Sequence, residues 1–177
     1  MTHAELVKKA ERWLLNTKGC SFAFSELSAY TKSGETPDAI GWKGIITILV
    51  ECKASRADFF SDGRKRFRRD PDRGMGDFRF YMAPAGMLTV FDLEQNPWSR
   101  SWGLVEVYPN GRARQRRGPE GNTFAGHSAK RFRHRTKCWR SETHMMVSAL
   151  RRLHIRGLLP EIYNQSSRPL RRRSRKG

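Results

Sequence analysis

The order of elements legible in the sequence predicts an α/β domain. Three observations carry that reading: a capped amphipathic helix opens the chain, β-branched and alternating runs follow it, and further helical stretches divide and succeed those runs. Thr2 and Glu5 form a capping box, Leu6, Ala10, Trp13 and Leu14 share one face, and Gly19 follows the end. The first helix is therefore expected from Thr2 to about Lys18.

Cys20 to Phe24 is a short apolar run read as a strand or an extended lead into the next turn, and Ser33-Gly34-Glu35-Thr36-Pro37 is a loop by composition. Asp38 to Trp42 is expected as a strand, with a turn at Lys43-Gly44 and a second strand over Ile45–Cys52, whose β-branched side chains suit a sheet interior. Ser55 is placed to cap a helix with Asp58 three residues on, running through Phe59-Phe60 into the basic stretch Arg64–Arg69. Asp70–Gly76 reads as a loop, Asp77–Ala83 as a strand, Pro84-Ala85-Gly86 as a turn and Met87–Phe91 as a short strand. Trp102–Tyr108 alternates, and Asn110-Gly111 signals a hairpin back through Arg112–Arg117. These elements make residues 1–117 the expected core. A basic loop is expected over 118–137. A closing helix lies within 138–160, from Ser141 to about Arg156, with Met146, Leu150 and Leu153 inward. The stretch 161–177 reads as a basic tail, six of its last ten residues being Lys or Arg.

Charge narrows the function classes. Among 177 residues, 35 Lys and Arg oppose 17 Asp and Glu, a net charge of +18 and a pI near 10.9. Such a field attracts polyanions through counterion release. With no basic amphipathic helix bearing an aromatic face, no lipidation motif and no long apolar run, nucleic acid is the expected partner and a membrane is not. The opening residues lack the pattern of a secretory signal, so a cytoplasmic location is expected. Cys20, Cys52 and Cys138 form no CxxC pair and read as reduced thiols. His127, His134, Cys138 and His144 lack the close ligand pairs of a structural zinc site. Trp98 and Trp102 read as packing residues.

The chemistry concentrates in one predicted hairpin. Glu51 and Lys53 lie two residues apart on a strand and project to one side, with Cys52 opposite. The turn at Lys43-Gly44 folds Asp38 back towards them. Two carboxylates suit Mg²⁺ or Mn²⁺, and a neighbouring ammonium suits a water and the charge that develops on phosphate. The bland alternative is an ion-pair cluster on the surface at a strand end.

TPDAIGW followed by ILVECKAS resembles the signature of the PD-(D/E)xK nuclease superfamily, here as Pro37-Asp38 and Glu51-Cys52-Lys53. The resemblance implies a restriction-endonuclease-like α/β core, a mixed sheet flanked by helices, and a magnesium-dependent hydrolase cutting DNA. It implies Asp38 and Glu51 as metal ligands with the Cys52 carbonyl, and Lys53 as the residue that orients water. A further carboxylate would come from Glu26, with Glu35 in reserve. A homodimer would suit cutting of both strands. The segments ECKASRADFFSD, GMGDFRFYMAP and WGLVEV also resemble small phage and prophage proteins. Arg56, Arg64, Lys65, Arg66, Arg68, Arg69 and Arg79 are candidates for nucleic-acid contacts. Arg56 and Asp58 read equally as cap and dipole partners, and Arg79 and Tyr81 as the wet face of a strand. Two other readings stay open. One is a nuclease-like binding or inhibitory protein without turnover; the other is a basic RNA-associated protein acting through its tail.

Overall fold

The computed structural model describes residues 1–29, 31, 33–122 and 124–163; of the basic tail expected over 161–177, residues 164–177 lie outside them. The chain forms a mixed six-stranded sheet flanked by helices, an α/β fold with strand order β1-β2-β3-β4-β5-β6. The strands are β1 (Phe22–Ser25), β2 (Ala39–Lys43), β3 (Ile46–Cys52), β4 (Phe78–Pro84), β5 (Gly103–Val107) and β6 (Ala113–Arg117). The first three form an antiparallel meander, β3, β4 and β5 run parallel, and β6 returns antiparallel. The parallel pairs need crossovers. Helices α2 (Arg56–Asp62) and α3 (Arg66–Arg69) make the first, and α4 (Val90–Gln95) the second.

Helix α1 (His3–Asn16) begins at a capping box, Thr2 receiving the Glu5 amide while Glu5 receives that of Thr2. Its Leu6, Val7, Ala10, Trp13 and Leu14 are buried. They pack on Ala39, Ile48, Val50, Cys52, Phe80 and Met82 from one face of the sheet. Alternation sends Ile40, Trp42, Leu49, Tyr81 and Leu104 to the other face, where Phe59 of α2 and Leu93 of α4 cover them. Two residues of the predicted hairpin are glycine for separate reasons. Gly44 turns the chain at φ 58°, and a Cβ on Gly41 would sit 2.8 Å from the Cys20 sulfur.

Several expectations are corrected. The helix begun at Ser55 stops at Gly63, and α3 is a separate short turn. Met87–Phe91 is no strand: Thr89 and Asp92 form a second capping box that starts α4. The stretch 118–137 is no plain loop, because α5 (His127–Phe132) buries Ala129 and Phe132 against the α1 side. Helix α6 (Trp139–Ile155) turns another face inward than expected. Ser141, Glu142 and Met145 are buried, whereas Met146, Leu150 and Leu153 stand 38%, 46% and 37% exposed.

That inward face of α6 is held by polar bonds. Glu142 accepts from the Thr47 hydroxyl at 2.9 Å and the Gly76 amide at 2.8 Å. Lys137 lies 2.9 Å from Glu142 and 2.5 Å from Asp77. Asp77 in turn accepts from the Thr47 amide at 2.9 Å. A buried carboxylate without partners is costly. Polar partners on the sheet therefore decide which side of α6 packs, against the pull of its leucines.

Candidate active site

Two alternations bring the signature residues together. Odd positions of β3 and even positions of β2 face the α2 side of the sheet, and the register Ala39↔Val50 continues outward to set Asp38 beside Glu51. Lys53 follows on the same face, its amide bonded to the Met82 carbonyl of β4 at 2.9 Å. Asp38 accepts the Cys52 amide at 2.7 Å, which fixes one carboxylate oxygen. The other lies 3.4 Å from His3 at the start of α1. Cys52 points the opposite way into the α1 layer, where burial drives its thiol well above the ordinary range. Only the Cys52 backbone therefore borders the site.

Glu51 and Lys53 are each 3% exposed, so the cluster is not a surface ion pair. Lys53 Nζ lies 3.2 Å from Asp62, 3.6 Å from Asp58 and 3.8 Å from Glu51. Asp62, at the end of α2, is the residue sequence reasoning missed. It receives Lys53, Lys65 at 2.7 Å, Arg68 at 2.7 Å and the Tyr81 hydroxyl at 2.7 Å. The spacing of Asp58 and Asp62, one helical turn apart beside Lys53, was the available signal.

Electrostatics separate the carboxylates. Burial alone raises Asp62, but Arg68 and Lys53 outweigh it and hold its carboxyl well below the usual carboxylate range. Glu51 goes the other way. Burial, with Asp38 and Asp62 nearby, pushes it up to about 7 against the pull of Arg68 and Lys53. Burial also raises Asp38, despite the Cys52 amide. At Asp38 and Glu51 burial outweighs the neighbouring positive charge, whereas at Asp62 the positive charge wins.

Glu26 stands exposed beyond β1 at φ 47°. Its backbone amide, bonded to the Asp38 carbonyl at 3.0 Å, ties it to the site. Glu35 is corrected as a reserve ligand: its carboxylate is taken by Arg68 and by the Met75 amide at 2.6 Å. Among the described residues no three His, Cys, Asp or Glu side chains gather as a ligand set.

The basic candidates divide. Arg64, Lys65, Arg66 and Arg69 are exposed on the α2–α3 segment. Arg56 is exposed, but its guanidinium is held by Asp92 at 2.5 and 2.8 Å. Arg68 and Arg79 are corrected as outward phosphate contacts, since both are buried. Arg68 is the hub of the acidic cluster, bonded to Glu35 and Asp62, 3.1 Å from Glu51 and stacked 4.5 Å from the Trp102 ring centre. Arg79 and Tyr81 are not a wet face, because α2, α3 and Trp102 cover them.

No helix among the described residues is long and apolar enough to cross a membrane. No protein-family model and no curated protein matches the sequence. Among solved structures, the fold is similar to that of a protein of unknown function from Silicibacter pomeroyi, at TM-score 0.52 and 20% identity, covering 91% of this chain and 94% of that one.

Proposed function

We propose that this chain is a metal-dependent nuclease with a restriction-endonuclease-like core, hydrolysing DNA phosphodiester bonds at the Asp38–Glu51–Lys53 cluster. The observation that carries the reading is the pairing of a half-buried Asp38 with a buried Glu51. Asp38 and Glu51 share one face of adjacent strands; burial pushes both towards protonation, and Asp38 adds to the rise at Glu51. Deprotonated, the two are hard oxygen ligands that fit Mg²⁺ or Mn²⁺, whose charge would offset the cost of ionising both. Arg68 engages one oxygen of Glu51, and the other faces Lys53. That second oxygen, the Asp38 carboxylate and the Cys52 carbonyl are the ligands this chain offers.

A divalent ion bound there supplies charge neutralisation and a more acidic water. The protein does the rest. Arg68 holds the Glu51 rotamer, and Asp62 keeps Lys53 aimed along the same face. Lys53 orients the water, whose proton passes to solvent as its oxygen adds to phosphorus and the opposite P–O bond breaks. The leaving oxygen takes its proton from solvent. Arg64, Lys65, Arg66 and Arg69 supply backbone contacts, which give affinity rather than sequence choice.

The test is cleavage of supercoiled plasmid and labelled single-stranded DNA with Mg²⁺ or Mn²⁺, with Lys53→Ala and EDTA as controls. Metal-dependent cutting that Lys53→Ala loses supports the nuclease; no cutting of either substrate overturns it. One observation favours a second reading, a nuclease-like binding protein without turnover. Lys53 is already engaged by three carboxylates and almost wholly buried. Tight, salt-sensitive DNA binding unchanged by Asp38→Ala, with no cutting, would support it.

A further inference from the structure

Strand β6 closes the sheet at the edge opposite β1, and its arginines gather on one face. Ala113 packs into the α1 layer with Val105 and Val107. Arg114, opposite Glu106, therefore faces the α2 side, where Leu104 also lies. The Arg112 carbonyl accepts the Tyr108 amide at 2.9 Å, which carries the ladder one residue further and sets Arg112 on the face of Arg114. The register shifts between Leu104 and Val105, leaving Arg116 as an extra residue. It turns to the same face, 3.5 Å from Glu106. All three arginines are exposed.

This face is level with the candidate active site. Cys52 pairs with Met82 and Met82 with Val105, so the next row runs from Lys53 through Ala83 and Glu106 to Arg114. Three strand spacings separate Lys53 from Arg114, about 14 Å. Other arginines around the site are engaged by the protein itself, Arg68 by Glu35 and Asp62 and Arg56 by Asp92. Arg112 and Arg114 differ: among the described residues no carboxylate pairs with either guanidinium. Glu106, across from Arg114, is occupied elsewhere. It accepts the Gly86 amide at 3.1 Å and the Tyr108 hydroxyl at 3.2 Å, and it pairs with Arg116.

Spacing and charge select the partner. Alternate positions on an antiparallel strand repeat about every 6.8 Å, the scale on which phosphates follow one another along a nucleic-acid strand. A guanidinium fork meets two phosphate oxygens at once. A strand added from another protein would have to pair along this edge, which exposed charge opposes. We infer that Arg112 and Arg114 form a backbone-binding face for nucleic acid, holding phosphates of the strand whose scissile bond lies at Asp38 and Glu51. At about 3.4 Å per nucleotide along a duplex, 14 Å places those phosphates roughly four nucleotides from the cut. The inference rests on the nuclease reading for the position of the cut alone; the contacts themselves need no turnover.

The test is binding by the full chain in EDTA, where no cleavage occurs, across a series of salt concentrations. Probes are a fluorescently labelled DNA duplex and one of its strands alone. Arg112→Gln/Arg114→Gln is compared with Lys8→Gln/Arg12→Gln, which removes as much charge from the exposed side of α1. Two lost phosphate contacts should flatten the slope of log K against log salt by about 1.8 for the duplex and about 1.4 for the single strand. The α1 variant should keep the wild-type slope, and thermal unfolding should show both variants folded. An unchanged slope in the β6 variant, or the same loss in the α1 variant, overturns the proposal. So does a wild type that binds neither DNA. Self-association of the β6 variant with the wild-type slope would mean that the arginines only guard the sheet edge, and overturns it as well. Cleavage in Mg²⁺ with an unchanged slope would overturn the binding face alone; a flattened slope without any cleavage would overturn the nuclease alone.

Discussion

Replacing Glu51 by Gln should make the protein more stable at alkaline pH while removing a side chain central to the proposed chemistry. Glu51 titrates near 7 in the fold against 4.5 unperturbed. The folded state therefore binds the extra proton between those values, and stability falls as pH rises through that window. Above it, the buried carboxylate opposes folding. A gap of 2.5 units at ~1.4 kcal/mol each sets a ceiling of about 3 kcal/mol at pH 8. For a chain of this size that corresponds to a rise in Tm of roughly 6–12 °C. Glutamine keeps an oxygen for Arg68, which also retains Glu35 and Asp62. The assay is thermal unfolding of wild type and Glu51→Gln followed by circular dichroism at pH 5 and pH 8. The gain should appear at pH 8 and fall to about a quarter of that at pH 5, where wild-type Glu51 is neutral in the fold but still partly ionised in the unfolded chain. A variant no more stable at pH 8, or equally stabilised at both, would refute the reasoning. In the proposed function, Mn²⁺ should raise the wild-type Tm at pH 8 and leave Glu51→Gln unmoved.

Arg68→Met should cost about 4 kcal/mol in urea unfolding, since it leaves Glu35, Asp62 and Glu51 facing one another without their guanidinium. The loss should be smaller at pH 5 than at pH 8, because protonation relieves that repulsion; a pH-independent loss would point to packing on Trp102 instead. Glu142→Ala should cost about 3 kcal/mol and open the chain after residue 137 to limited proteolysis, because Thr47, Gly76 and Lys137 lose a shared acceptor. An unchanged digestion pattern would mean that α6 is held by other contacts. Leu150→Ser should shift stability by less than about 0.5 kcal/mol, its side chain being nearly half exposed. A larger loss in urea would mean that this face of α6 is covered in solution.

Local chemistry was legible where a residue's neighbours in sequence decide its state. The capping box at Thr2, the turn at Gly44, the β-branched run of β3 and the alternation that sets Glu51 and Lys53 on one face all follow from short-range geometry. So did the approach of Asp38, because a two-residue turn leaves an antiparallel pair little freedom of register. Met87–Phe91 was read as a strand because a run of apolar residues suits a strand as well as a short helix, and the Thr89–Asp92 cap decides between them.

What only the tertiary structure decided is which charges are spent inside the protein. Arg68 looked like one more cation in the stretch Arg64–Arg69, yet it is the one that α3 turns inward onto Glu35, Glu51 and Asp62. Glu142 was unmarked in sequence because its partners Thr47 and Lys137 lie on other elements, and Asp62 carried only its spacing from Asp58, since Lys53 and Tyr81 also lie elsewhere. Periodicity reports hydrophobic burial, which depends on a residue's own type. The burial of a charge depends on partners brought from elsewhere in the chain, and no local pattern records them.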